Sequence, residues 1–327
     1  MDYYGLFPKF KLNRSLNDEE REHQLKQHQT TELDGQSLVP DMKVITLNSH
    51  YLELIDKYYS AKGFLSLIAA FAFMGFSLLY ITVIIKSVPY IDWKFSTSEK
   101  MFLSMSLICI PTIIMTFKVL KTEWFAWTHY PIRFDRKNRL VHVFRLNGSA
   151  YSVPWDSVFF TTGLSHRKDA NKDYYISGHV LADDNKTVID TFCLPATHSD
   201  RKQLERHWEF VRRYMEEGPE SVVGVVDFCL PITKKREGYR FGLLYLLSGF
   251  NGAPLFLFPL LFVLAFIFSV PRYLAMVTSR VPVWPESIEA QCRVDKDDPY
   301  LVDASGNPEH PWRNLFRKSS ANNSEQR

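Results

Sequence analysis

Residues 64–85 read FLSLIAAFAFMGFSLLYITVII, and this stretch decides how the rest of the chain is read. It carries no charge and is bounded by Lys62 and Lys86. A helix crossing a hydrocarbon core of about 30 Å needs about 20 predominantly apolar residues. The run meets that length, so a membrane span is expected here. Two further apolar runs follow, Met101–Phe117 and Pro254–Val270. The second run is short and contains Pro111, which membrane helices tolerate when neighbouring groups satisfy the freed carbonyl. Upstream of it, Ser96 and Glu99 have the spacing of a capping box, so the helix is expected to start there. The third run is preceded by apolar residues 241–250 and broken at Asn251-Gly252-Ala253-Pro254. Two full crossings would need about 40 residues plus a turn. One span preceded by an interfacial segment is therefore expected, with a re-entrant hairpin as the alternative.

Residues 1–61 are polar, unlike a cleaved secretory leader, which is apolar and terminal. The net charge of +3 over 327 residues points to no nucleic acid, so the placement of charge says more than its sum. Lys94 and Lys100 lie between the first two runs. Lys57 and Lys62 precede them, and Lys118, Lys121, Arg133, Arg136, Lys137 and Arg139 follow. Lys234, Lys235, Arg236 and Arg240 precede the third run, against Arg272 and Arg280 after it. The positive-inside bias places residues 1–61 and 121–240 in the cytoplasm. Three complete crossings would put the tail, residues 272–327, on the other side. Under this orientation Cys193 and Cys229 are free thiols in a reducing compartment.

Within residues 1–61, a charged helix is expected over Leu16–Gln29. A second short helix, HYLELIDKYY, would be capped by Asn48 or Ser49 and lead into the first span. Too few apolar residues are present for a packed domain. Residues 121–240 form the β-rich part. Ile132–Phe134 and Leu140–Phe144 flank a turn at Asp135-Arg136-Lys137-Asn138. Asn147-Gly148 signals a hairpin into Ala150–Val153. Val158–Thr161 supplies a further strand, and Tyr174–Leu181 and Thr187–Leu194 bracket a turn at Asp183-Asp184-Asn185. The period then changes. After Ser199 as N-cap, Leu204, Trp208, Val211 and Met215 form one face of an amphipathic helix over 200–216, ended by Gly218-Pro219. This order implies an α+β membrane protein with an N-terminal helical hairpin (64–85 and 101–117). A small β-sheet or partial barrel follows, closed by a C-terminal helix as in the pleckstrin-homology-like fold. One further transmembrane or re-entrant segment occupies 241–271. In the tail, Pro285 opens a short helix over Glu286–Gln291, and Lys318–Arg327 is expected to be disordered.

The chain holds no Gly-rich phosphate loop, GxSxG, HExxH, CxxC or DxDxDG pattern, so no catalytic, cofactor or metal residues are assigned. His207 beside Trp208 and His142 between Val141 and Val143 are expected to face solvent. Asp295, Asp297 and Asp298 lack the turn glycine and distal Glu of a calcium loop. Lys234, Lys235, Arg236 and Arg240 read as topology signals, with anionic lipid headgroups as the alternative. Trp124, Trp127, Tyr130 and Trp284 fit an interfacial aromatic belt.

Three stretches, PIRFDRKNRLVHVFRLNGSAYSVPWDSVFF, HWEFVRRYMEEGP and TSRVPVWPESIEAQC, resemble the DUF6708 family of bacterial membrane proteins of unknown function. The resemblance covers most of the chain and brings no catalytic residues with it. It implies a link to type VI secretion gene clusters, with immunity to a co-encoded toxin as the natural role. The expectation is a multi-pass inner-membrane, non-enzymatic protein that binds membrane lipids and a protein partner. The alternative is a membrane-anchored lipid- or signal-sensing module.

Overall fold

The computed structural model describes residues 3–6, 8–33, 35–91, 96–164, 173–250, 253–295 and 297–308. Lys94, Asn251, Gly252 and the expected disorder of 318–327 lie outside the described residues. Two compact units divide the chain. One contains Met1–Ser60, Trp127–Glu237 and Val281–Arg327, the other Ala61–Ala126 and Gly238–Arg280.

The first unit is built on two antiparallel five-stranded sheets. A meander of β3 (Val44–Leu47), β4 (Tyr51–Leu54), β5 (Ile132–Asp135), β6 (Leu140–Phe144) and β7 (Ala150–Pro154) forms one. The other runs in the order β1 (Arg14–Ser15), β10 (Thr187–His198), β9 (Tyr174–Leu181), β8 (Val158–Leu164) and β2 (Gln24–Leu25). The turn residues act as their chemistry requires. Gly148, at φ 88°, donates to the Arg145 carbonyl at 2.9 Å. Asp184 accepts from the amides of Lys186 and Thr187 at 2.9 and 2.8 Å. Helix α4 (Arg201–Glu216) then closes the core, with Leu204, Trp208 and Val211 fully buried. Its cap is Asp200, which accepts from the Lys202 amide at 3.0 Å, one residue beyond the expected Ser199. Trp208 stacks on Trp155 at 5.8 Å and lies 4.8 Å from Phe160, joining helix and both sheets in one aromatic cluster.

The N-terminal segment does not behave as a polar appendage. The expected helix over Leu16–Gln29 shrinks to α1 (Asp18–Glu22), with β1 and β2 on either side covering opposite edges of the second sheet. The expected helix at HYLELIDKYY is instead β4. Asn48 turns the chain there by accepting from the amides of His50 and Tyr51, both at 2.9 Å, so the residues that follow pair with β3 and β5. Leu52 and Leu54 enter the core, and Glu53 is buried because Arg133, directly across the ladder, holds it at 2.6 Å. The packed core that local composition did not suggest is assembled with partners about 80 residues away.

The tail joins the same unit. Helix α7 (Glu286–Gln291) starts after Pro285 as expected. Trp284, Ile288 and Cys292 pack with Tyr130 and Phe144 in a second apolar cluster. Trp127, Tyr130 and Trp284 thus belong to a protein core and not to a belt, a correction that follows from their mutual packing.

Among the described residues, the second unit contains three helices long and apolar enough to cross a membrane: α2 (Phe64–Ser87), α3 (Thr97–Leu120) and α6 (Phe258–Thr278). Short α5 (Tyr239–Ser248) precedes α6. Ser96 and Glu99 make both bonds of the capping box, so α3 starts earlier than the apolar run and gains length. α2 and α3 are antiparallel, since Phe73 meets Phe117 while Tyr80 meets Phe102 and Ser106. Their outer faces expose Phe71, Leu78, Ile85, Leu103 and Leu107. Glu123, just past α3, accepts from the amides of Gly63 and Ser66 at 3.1 and 2.8 Å, satisfying orphan donors at the start of α2. The end of α6 reaches the same place, where Ser279 Oγ donates to the Glu123 carbonyl at 3.0 Å.

Candidate functional site

In the first unit a cleft of about 430 Å³ opens where β10 runs on past β1 and faces the β6–β7 hairpin. The volume lies within the range typical of ligand sites, about 300–1,000 Å³. Phe10, Tyr58, Tyr130, Phe144, Tyr151 and Phe192 give it aromatic walls. At its mouth Arg145 pairs with Asp190 and lies 4.2 Å above the Tyr151 ring. Burial raises the Tyr151 phenol well above its usual range, so it stays neutral. Asp56, also in the lining, is committed to the backbone, accepting from Tyr58, Tyr59 and Tyr130 amides at 2.7, 3.0 and 2.7 Å. The lining offers ring faces and a charged pair half open to solvent. Such a set can accommodate an aromatic or amphipathic side chain.

A neighbouring polar cleft holds Arg14, Glu20 and His179. Burial of the Glu20 carboxyl opposes its charge, but His179 and Arg14 outweigh that and hold it far below the usual range. Arg14 lies 2.5 Å from Glu20, and His179 Nε2 lies 3.3 Å away. Glu20 is also the capping-box residue of α1, so its charge is consumed in docking that helix.

Neither histidine singled out from the sequence faces solvent. His142 is fully buried, because the first sheet is covered on that face by the tail. Its Nδ1 lies 2.6 Å from Ser152 Oγ and its Nε2 3.5 Å from Asp135. His207 is fully buried because Thr31, Ser37 and Val39 lie over α4, and its Nδ1 donates to the Val39 carbonyl at 3.0 Å. Cys292 Sγ reaches Asp135 Oδ2 at 3.6 Å, and burial pushes its thiol up to about 11. Asp298 serves the fold by accepting from the amide and hydroxyl of Ser49 at 2.9 and 2.8 Å. Arg133 and Arg139, counted as topology charges, are bound to Glu53 and to Asp156 and Glu216. Lys234, Lys235 and Arg240 are exposed.

The model of DUF6708, a family of unknown function, matches residues 108–296, from within α3 to just beyond α7. The chain belongs to that family. No curated protein and no solved structure matches it.

Proposed function

We propose that this chain is a non-enzymatic binding protein of the bacterial inner membrane, with its β unit in the cytoplasm. We assign it the role of an immunity or accessory protein of a type VI secretion cluster. The observation that carries the binding role is the aromatic cleft with its Arg145–Asp190 mouth, which suits a protruding side chain of a partner protein. We read the β unit as pleckstrin-homology-like. Four strands β4–β7, three strands β8–β10 and the closing helix α4 follow one another in that order.

The membrane reading rests on the three apolar helices and on how the β unit is assembled. Its three chain segments are separated by two apolar insertions, so each insertion must return to the side it left. The hairpin α2–α3 does so by two crossings. Segment 238–280 does so as a re-entrant loop, the alternative to a third crossing. In support, Phe268 meets Phe64, the first residue of α2, at 5.5 Å. Only residues 258–267 of α6 extend past that contact, about 15 Å of helix at 1.5 Å per residue. α5 lies beside the last turns of α6, through Tyr239 on Ser269 at 3.1 Å and Tyr245 under Arg272 at 5.1 Å.

The test is survival of a deletion strain in contact with siblings that carry the neighbouring effector. Wild-type chain restores survival, whereas Ile189→Asp, which puts a charge on an exposed cleft residue, does not. Equal survival of deletion and wild-type strains contradicts the immunity role. A lipid-sensing reading is favoured by one observation, the exposure of Lys234, Lys235 and Arg240 just where the chain passes into the apolar segment. Flotation of the full chain in vesicles with and without anionic lipid, read through partner capture, separates the two.

A further inference from the structure

We propose that Asp135, His142 and Cys292 form a binding site for a divalent transition metal of the zinc type, fastening the tail to the β unit. The three residues come from the end of β5, the middle of β6 and the C-terminal cap of α7. Their donor atoms all lie within 4.8 Å of one another. Their residue exposures are 1, 0 and 3 %.

Spacing is the first argument. Asp135 Oδ2 is 3.5 Å from His142 Nε2 and 3.6 Å from Cys292 Sγ. Tetrahedral zinc, with bonds of about 2.0–2.2 Å to nitrogen and oxygen and about 2.3 Å to sulfur, sets neighbouring donors about 3.3–3.7 Å apart. An N–H···O hydrogen bond is normally no longer than about 3.2 Å. The nitrogen–oxygen separation therefore matches two ligands of one ion better than a donor and its acceptor.

The surroundings are the second argument. Ligating histidines usually hold their other ring nitrogen in a hydrogen bond, and ligating carboxylates are themselves bonded. Here Ser152 Oγ takes His142 Nδ1 at 2.6 Å and leaves Nε2 to the cluster. The Asn138 amide donates to Asp135 Oδ1 at 3.0 Å and its side chain to Oδ2 at 2.7 Å. Charge also balances, since an aspartate and a thiolate together neutralise a divalent ion, with the thiol proton released to solvent on binding. Arg133 hydrogen-bonds Cys292 and its charge favours the thiolate, while the guanidinium is itself paired with Glu53 and Glu289 at 2.6 and 3.5 Å. The mixed sulfur, nitrogen and oxygen donors suit zinc and its cobalt substitute better than calcium or magnesium. The three residues supply three of the four positions of a tetrahedral site. Because Cys292 arrives with the tail, an ion bound here stabilises the docked tail by linkage.

The experiment uses the full chain in detergent, stripped with chelator and titrated with Co²⁺. The expected result is one Co²⁺ per chain with a sulfur-to-cobalt charge-transfer band, and displacement of that band by Zn²⁺. Cys292→Ser loses the band, His142→Gln weakens Co²⁺ binding, and Ser152→Ala, which frees His142 Nδ1, weakens it by about 10–100-fold. Tryptophan fluorescence reports whether each variant is folded, and the wild-type spectrum alone decides the case if the variants are not. Absence of a charge-transfer band in the wild-type chain overturns the site. So does a band that survives in folded Cys292→Ser, since Cys109, Cys193 or Cys229 would then be its source.

Discussion

Leu47 and Val302 exchange both backbone hydrogen bonds, at 2.9 and 2.8 Å, so a strand near the start of the chain pairs with the tail near its end. The contact is reinforced next door by Asp298, which takes the amide and hydroxyl of Ser49. Asp298→Ala removes these charge-assisted bonds, and each is worth about 1.5–3 kcal/mol before solvent replaces part of it. Asp298 is half-buried, so a net loss of about 1–2 kcal/mol is expected. Urea unfolding followed by tryptophan fluorescence checks this. A midpoint equal to wild type would mean that the bonds from Ser49 to Asp298 add nothing to the stability of the β unit.

Gly63 precedes α2 at φ 97°, and a Cβ built there would sit 2.5 Å from the Arg272 backbone. Gly63→Ala should therefore separate α6 from α2 and lower the melting temperature of the detergent-solubilised chain by several degrees. Gly75→Ala, with open space around its Cβ position, is the control. It should be neutral or stabilising by up to about 1 kcal/mol, the helix preference of Ala over Gly. Equal behaviour of the two variants counts against the α2–α6 contact.

Burial pushes His207 down to about 4, with Asp41 and the Val39 carbonyl opposing the shift and His198 and Lys43 adding to it. In the unfolded chain the same group titrates near 6.5. The folded state thus binds fewer protons than the unfolded state between those values, and stability falls as pH drops from about 6.5 toward 4. The loss reaches at most about 1.4 kcal/mol per pH unit for one proton. Above about 6.5 this contribution is constant. His207→Gln should show a shallower fall across the same window in urea titrations at stepped pH, and identical slopes would remove His207 as the cause.

Glu53 and Arg133 form a buried pair at 2.6 Å. Arg133→Met alone strands a buried carboxylate and should cost about 3–5 kcal/mol. Replacing both residues, by Arg133→Met with Glu53→Leu, should recover much of that loss. Denaturation of the two variants side by side gives the comparison. A double variant as unstable as the single one would show that the arginine acts through its packing on Tyr51 and Trp284 instead.

Local chemistry made part of this fold legible. The capping box at Ser96 and Glu99, the turns at Asn147-Gly148 and Asp183–Asn185, the α4 stripe and the Pro285 helix start all act within a few residues of themselves. What escaped depends on distant partners. β4 reads as a helix until Arg133 is placed opposite Glu53. His142 and His207 read as exposed until the tail and the segment at Ser37 and Val39 cover them. The candidate metal cluster has no sequence motif, because Cys292 reaches Asp135 only through the folded tail. Both clefts draw their walls from the N-terminal residues that composition alone set aside.

In the proposed topology residues 1–60, 127–237 and 281–327 occupy one side of the membrane, with 238–280 re-entrant. Cys292 is too buried to report on this, so exposed positions Lys26, Lys186 and Ser305 are used instead. Single variants Lys26→Cys, Lys186→Cys and Ser305→Cys are treated with a membrane-impermeant maleimide in intact and in lysed cells. All three are expected to label only after lysis. Labelling of Ser305→Cys in intact cells, with Lys186→Cys still protected, would contradict that topology and require a third complete crossing.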